Sequence, residues 1–236
     1  MASCTSAPVK AGADAGDLAD AGDALSSLIE LPVRFHVLQS DVPELDPQLG
    51  DEAVADLIAG VNTVWSVANI EFQIEGIRRP SALNTDDFIA VAESGEGGPA
   101  TLATLGTVFP NEDLLVPGWN VVVIQSMINL PPGVYLNAQL SVIAARELPG
   151  AGQHHSVVLA HEMGHSLGLQ HTDPTIDAVN LMGGTAAPQD RIHLNESQIA
   201  TAKAQAQTGV PFSLSGSPTT PAQNHLRMRG LAASTQ

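Results

Sequence analysis

The feature that most constrains this chain is a set of three histidines between positions 161 and 171. His161 and His165 are four positions apart, so on an α-helix their imidazoles project from one face about one turn apart. Two neutral imidazoles at that spacing are able to hold one zinc ion at about 2.0–2.1 Å each. The spacing therefore predicts a helix that presents two metal ligands on the same side.

Gly168 and His171 extend the pattern beyond the end of this helix. Glycine readily adopts the left-handed conformation that ends a helix, so Gly168 is the predicted helix-ending turn. After the turn, His171 is free to come back toward the metal as a third ligand. Three histidines leave a fourth coordination position open for water, which is typical of a catalytic zinc site rather than a structural one.

Glu162 directly follows the first histidine, so its carboxylate is expected beside the metal and not on it. That placement suits a general base that accepts a proton from a zinc-activated water and later passes it to the departing amine. We therefore predict Glu162 as the catalytic residue, with His161, His165 and His171 as metal ligands. The alternative is a surface helix whose histidines are fortuitous, and a random match to the whole pattern is expected on the order of once in ten thousand.

This pattern resembles the signature of the metzincin zinc endopeptidases. The matching residues are His161, Glu162, His165, Gly168 and His171. The resemblance implies a zincin-like α+β fold, one catalytic Zn²⁺ and hydrolysis of peptide bonds in a protein or peptide substrate. In this family the substrate lies along an edge strand, which we place within Gly133–Ala144.

The same resemblance implies a methionine in a tight turn beneath the zinc, and Met182 stands at a matching distance. Its implied role is Met-turn support, with an ordinary core methionine as the alternative. Thr172 after the third histidine is closest to the matrixin choice, so the chain looks matrixin-like. Gly184 occupies the place where astacins and serralysins carry a zinc-reaching tyrosine. Because Tyr135 is far upstream, we expect no fifth tyrosine ligand.

The remaining pattern of the chain predicts an α+β fold with one mixed, mostly parallel sheet, an active-site helix and a C-terminal helix. Asp51 is expected to cap a long helix, and Asn195 with Gln198 is expected to cap the last helix, which Gly209 ends. The stretch Glu93–Pro99 has the composition of a loop. Strands are predicted around residues 31–37, 70–74, 120–124 and 139–144.

Composition divides the chain into three parts. Residues 1–30 are rich in Ala, Gly, Ser and Asp and are predicted to form a flexible acidic N-terminal tail. Residues 31–210 form the predicted metzincin-like catalytic domain, and residues 211–236 a flexible C-terminal tail. We expect the protein to be extracellular or on the cell surface.

The single cysteine, Cys4, excludes an intramolecular disulfide framework and a cysteine-based zinc site. The run from Met1 to Cys4 resembles the end of a bacterial lipobox, which raises a lipid anchor at Cys4. Two other interpretations stay open: an incidental cysteine in a flexible tail, and an inhibitory metal ligand.

The net charge of the chain indicates which classes of molecule it is expected to bind. The chain has 9 Lys and Arg against 25 Asp and Glu, a formal net charge of −16, which opposes binding to nucleic acid. No apolar run reaches the ~18 residues that a membrane-spanning helix needs. A bound Ca²⁺ at Asp173 and Asp177 is one interpretation of the acidic balance, but a solvated acidic loop is favoured.

The resemblance to metzincins also implies a pocket for the substrate side chain that follows the scissile bond, and we expect this pocket to prefer apolar side chains. Its predicted walls are Val179, Leu181, Gly183, Thr185 and Ala186. Three alternatives to an active endopeptidase stay open. They are a zinc-binding interaction or adhesion protein on a metzincin scaffold, a latent form of the protease, and a hydrolase of a non-peptide amide.

Overall fold

The computed structural model describes residues 27–95, 99–110, 117–127, 132–136, 140–145, 152–173, 175–183 and 192–213. In chain order the elements are β1 (Ile29–Val37), α1 (Asp51–Trp65), a 3₁₀ turn (Ser66–Ala68), β2 (Ile70–Arg78), α2 (Thr85–Ser94), α3 (Pro99–Thr107), β3 (Trp119–Ile124), β4 (Gly133–Leu136), β5 (Leu140–Ala144), α4 (Gly152–Ser166) and α5 (Glu196–Gln207). Among these helices, none is long and apolar enough to cross a membrane.

The strands form one five-stranded sheet in the order β2-β1-β3-β5-β4. β1 pairs in parallel with β2 and with β3, and β3 pairs in parallel with β5. Only β4 is antiparallel, where it pairs with β5 at the edge of the sheet. The predicted α+β class with a mixed, mostly parallel sheet is therefore confirmed.

Helices cover both faces of the sheet because the central strand β3 is buried along its whole length. Trp119, Val121 and Val123 of β3 face a core shared with α1, α4 and α5. Val122 and Ile124 face a second core that includes Phe88 of α2 and Leu105 of α3. The helix that carries His161 and His165, α4, thus lies on one face of the sheet, beside α1.

Two local predictions require correction. The N-cap of α1 is Gly50, and Asp51 is the first residue of the helix, where Arg79 binds its carboxylate. An acidic residue is favourable there because of the positive end of the helix dipole.

The predicted loop at Glu93–Pro99 is wrong at both ends, since α2 continues to Ser94 and α3 starts at Pro99. In α2 only Phe88 is buried, too little apolar signal for the periodicity to show a helix.

The other end of the domain follows the sequence more closely. Asn195 and Gln198 form the expected capping box at the start of α5, and Gly209 follows the helix with a φ of 69°. The described fold extends slightly past the predicted boundaries. β1 begins at Ile29, and Pro211 is buried. The next residue, Phe212, donates its backbone N–H to the Ser166 carbonyl at 2.7 Å. Residues 1–26, including Cys4, lie outside the described residues.

Candidate metal centre

Helix α4 carries two of the predicted ligands, and its own neighbours fix its position. The indole N–H of Trp65 donates to the Ala160 carbonyl at 3.2 Å, one residue before His161. At the other end, the indole N–H of Trp119 donates to the Ser166 hydroxyl at 2.9 Å. Because both tryptophans are fully buried, the helix is held on each side of its histidines by groups that solvent does not reach.

The chain leaves α4 through the predicted glycine turn. Gly168 has a φ of 83°, a conformation that favours glycine, and the Leu169 N–H donates to the Gly164 carbonyl at 2.9 Å. This turn reverses the chain, so that His171 comes back beside the helix. The structure therefore brings His161, His165 and His171 together, as the spacing predicts.

The three imidazoles converge on one point through their Nε2 atoms. The Nε2 of His171 lies 3.2 Å from the Nε2 of His161 and 3.1 Å from the Nε2 of His165. Nitrogen ligands at about 2.0–2.1 Å from a tetrahedral zinc lie about 3.3 Å apart, so both separations match neighbouring ligands of one zinc ion. The ligand atoms of all three histidines lie within 4.8 Å of one another.

Hydrogen bonds on the far side of two rings fix which nitrogen faces the centre. The Nδ1 of His161 donates to the Leu181 carbonyl at 2.7 Å, and the Nδ1 of His165 donates to the Leu169 carbonyl at 2.9 Å. A carbonyl only accepts, so each Nδ1 carries the proton and each Nε2 presents a lone pair. Lone pairs that converge on a third nitrogen require a cation or a proton between them, which fits a metal ion.

The electrostatic surroundings of His165 favour its neutral form, which is the form that binds a metal. Burial lowers the pKa of His165 below its ordinary value, and the neighbouring His171 acts in the same direction. The bond to the Leu169 carbonyl opposes the shift. His171 itself is exposed, which leaves that side of the cluster open to a fourth ligand.

Glu162 lies against the edge strand β4, with only 6% of its surface exposed. Burial raises the pKa of its carboxyl to about 8, and the Tyr135 backbone N–H, which donates to it, acts in the opposite direction. The contact with β4 needs a glycine. A Cβ on Gly133 would lie 2.9 Å from the Glu162 Oε1 and 2.6 Å from Cγ1 of Val158.

Met182 is fully buried directly beneath α4. A Cβ on Gly164 would lie only 2.5 Å from the Met182 sulfur. The close approach of α4 to the methionine therefore requires a glycine at position 164. The Met182 carbonyl accepts the Thr172 N–H at 2.8 Å, which ties the methionine turn to the residue after His171. Met182 therefore packs against α4, and its role as support beneath a metal stays a prediction.

Other predicted positions are placed as follows. Asp173 accepts from the Thr175 N–H and hydroxyl, and Asp177 pairs with His193 at 2.7 Å. Within the described residues, the three histidines alone form a group able to hold a metal, so calcium at the two aspartates gains no support. Of the expected pocket walls, Val179 is exposed and Leu181 fully buried, whereas Thr185 and Ala186 lie outside the described residues.

Tyr135 is close to the centre despite its distance along the chain. Its ring stacks beside that of His165, with centroids 6.5 Å apart. Its hydroxyl donates to the Phe212 carbonyl at 2.5 Å and is therefore committed to the protein. Sequence separation gave no signal of this proximity, because β4 and α4 meet only in the fold.

Sequence reasoning also missed Asn180, whose buried carboxamide is bonded to that of Gln198. The only signals were the place of Asn180 before the methionine turn and that of Gln198 in the helix cap. Neither indicated that the two side chains meet.

Comparisons with known proteins give limited similarity. No protein-family model and no curated protein matches the chain. Among solved structures, metalloproteinase-II from Bacteroides fragilis is similar at 13% identity and a TM-score of 0.44, covering 76% of this chain and 54% of that chain. A chaperone–substrate complex is similar at 14% identity and a TM-score of 0.39, covering 89% of this chain and 36% of that chain. This chain thus spans about half or less of the length of those two.

Proposed function

We propose that the chain is a zinc-dependent endopeptidase of metzincin type. The observation that carries the proposal is the convergence of the Nε2 atoms of His161, His165 and His171 on a helix whose next residue after His161 is the buried acid Glu162. A metal-binding trio alone would serve a structural or storage role equally well. A carboxyl on the same helix, together with a histidine cluster that is open on the His171 side, is what favours hydrolysis.

The residues divide the chemistry between them. The three histidines hold the ion, and Glu162 takes a proton from the attacking water and delivers it to the leaving amine. Zinc bound there would supply a Lewis acid that polarises the scissile carbonyl and lowers the pKa of water. Met182 supports α4 from below and is not a ligand in this proposal.

The edge strand β4 supplies the place for a peptide. It is antiparallel to β5 and has no neighbour on its outer side among the described strands, so an extended substrate is able to pair with it. The same strand contacts Glu162 through Gly133 and Tyr135. A substrate on β4 would therefore lie close to the proposed base. The strongly negative net charge favours neutral or basic substrates.

The subfamily and cellular place are part of the same proposal. A matrixin-like enzyme agrees with Thr172 after the third histidine and with a Tyr135 hydroxyl that is bonded to Phe212. We propose a secreted or surface-attached protein, with attachment through Cys4 as one form of it.

The test is metal content together with peptidase activity on the purified chain. We expect about one zinc per chain, and cleavage of casein or a peptide library that a chelator abolishes and added zinc restores. Zinc without cleavage of any substrate would replace the proposal with a zinc-binding interaction protein or a latent protease. Absence of zinc binding would reject the metal centre.

A further inference from the structure

Asn180 lies buried between the methionine turn, the segment after His171 and the start of α5, with 1% of its surface exposed. Its Oδ1 accepts from the Met182 N–H at 2.9 Å and from the Thr172 hydroxyl at 3.2 Å. Its Nδ2 donates to the Asp177 carboxylate at 3.3 Å. A single carboxamide therefore joins both ends of the segment that runs from the third histidine to the methionine.

Gln198 holds this carboxamide in place. Its Oε1 accepts from the Asn180 Nδ2 at 2.9 Å, and its Nε2 donates to the Asn180 Oδ1 at 3.0 Å, so the two side chains form a reciprocal pair. The same Oε1 accepts the Asn195 N–H at 3.0 Å as part of the capping box of α5. Because Ala202 and Ala206 of α5 are buried in the main core, the pair is fixed to a rigid element.

Two of the three histidines depend on the segment that Asn180 organises. His171 is next to Thr172, which bonds to Asn180 through its hydroxyl and to the Met182 carbonyl through its N–H. His161 is oriented by the carbonyl of Leu181, the residue that directly follows Asn180. A shift of Asn180 would therefore move one imidazole and release the other from its acceptor.

We propose that Asn180 is a positioning residue of the metal centre, locked by Gln198, which sets zinc affinity by placing His171 and the Leu181 carbonyl. The proposal rests on the proposed zinc site and does not depend on peptidase activity. Groups that orient metal ligands from behind typically change metal affinity by about 10–100-fold when they are removed. Asn180 acts through its neighbours and does not touch the metal.

The test is the zinc affinity of the full chain, measured by competition with a chromophoric chelator, for wild type and Asn180→Ala. We expect zinc to bind about 10–100-fold more weakly to the variant. The matched control is Asn62→Ala. Asn62 also forms two bonds through its carboxamide, with the Phe72 N–H and carbonyl, and joins α1 to β2 away from the centre. The Asn62→Ala variant should lower the melting temperature of the metal-free protein without changing its zinc affinity.

Gln198 separates the specific bond from general packing. Gln198→Glu keeps the oxygen that the helix cap uses, but it replaces the Nε2 donor with a second acceptor oxygen that faces the Asn180 Oδ1. Gln198→Ala removes both bonds to Asn180 together with the helix-cap oxygen. Zinc affinity should fall with both variants, and a fall with Gln198→Glu assigns the loss to the bond with Asn180 and not to the cap of α5. If Asn180→Ala does not fold, Thr172→Val decides, since it removes only the hydroxyl and should weaken zinc binding by about three- to tenfold.

The inference is overturned if Asn180→Ala binds zinc as tightly as wild type, or if Asn62→Ala loses affinity to the same extent. Unchanged affinity in a folded Thr172→Val variant overturns it as well when Asn180→Ala is unfolded. A wild-type chain that binds no zinc would instead reject the proposed function, and this measurement comes before any variant is compared.

Discussion

The two halves of the candidate metal centre are stabilised in different ways. The helical half, α4 with His161 and His165, is held by buried partners such as the indoles of Trp65 and Trp119. The loop half, which carries His171, runs through a largely exposed segment in which even Ile176 is 85% exposed. What fixes the loop is the set of polar bonds around Asn180.

This difference separates folding from metal binding. Burial of apolar surface in the helical half contributes to the free energy of unfolding with or without a metal. The described residues between His171 and Val179 in the loop half bury little, and each hydrogen bond of this half contributes only about 0.5–1.5 kcal/mol. Changes in the helical half should therefore lower stability first, and changes in the loop half should lower metal affinity first.

The largest effect is expected for a variant that tests whether the helical half also supplies the general base for peptide hydrolysis. Glu162→Gln keeps the size of the side chain but cannot accept a proton, so peptidase turnover should fall by about 10²–10⁴-fold. Zinc affinity should change little, because Glu162 is not a proposed ligand. Turnover is measured on a fluorogenic peptide and zinc content on the same sample. Near-normal turnover in a zinc-loaded variant would remove Glu162 from the base role.

The next prediction compares one ligand from each half. His171→Ala and His165→Ala should each weaken zinc binding by more than about 100-fold, since ligands matter more than the groups that orient them. The metal-free proteins should differ. His171 is exposed, so its loss should change the free energy of unfolding by less than about 0.5 kcal/mol. His165→Ala also removes a hydrogen bond to the Leu169 carbonyl and a ring contact with Tyr135, so it should lower the free energy of unfolding by about 1 kcal/mol.

Chelator competition and chemical denaturation of the metal-free proteins measure the two quantities separately. Equal losses of stability in the two variants would mean that the halves are not distinct. A His171→Ala variant with unchanged zinc affinity would mean that the chain does not bring this histidine to the metal.

The contact between the halves is tested at Gly164, where a new Cβ would lie 2.5 Å from the Met182 sulfur and 3.2 Å from its methyl carbon. Gly164→Ala should lower the free energy of unfolding by about 1–3 kcal/mol, despite a gain in helix propensity of about 1 kcal/mol. In a Met182→Ala background the added methyl group keeps only an ordinary contact with Cζ2 of Trp65 at 3.6 Å, so the same change should cost much less. Additive effects in this double-mutant cycle would show that the two residues do not touch.

The sequence predicted the helical half better than the loop half for a physical reason. The spacing of His161 and His165 is local, and the helix period converts it directly into a shared face. The helix-ending turn at Gly168 was also predictable, because the left-handed conformation depends on a single residue. The parallel strands were visible as short apolar runs such as 120–124, since burial on both faces leaves no polar alternation.

The missed features all depend on contacts between distant segments. Asn180 meets Gln198 only because α5 packs beside the methionine turn, and no period in the sequence encodes that meeting. Gly133 is one glycine among many until β4 lies against Glu162. Helix α2 was missed because its one buried residue, Phe88, sets no apolar stripe. Local rules give the elements, whereas the polar bonds that complete a site require the fold.

The smallest expected effect tests the edge of the helical half at Tyr135. Tyr135→Phe removes only the hydroxyl bond to the Phe212 carbonyl and should lower the free energy of unfolding by about 0.5–1.5 kcal/mol. Because the ring beside His165 remains, zinc affinity and kcat should stay close to wild type. A loss of zinc affinity above tenfold would make the tyrosine a ligand, and a large fall in kcat with unchanged KM would make its hydroxyl catalytic. Either result would contradict a hydroxyl committed to Phe212, whereas a small loss of stability alone places Tyr135 with the buried contacts that hold α4.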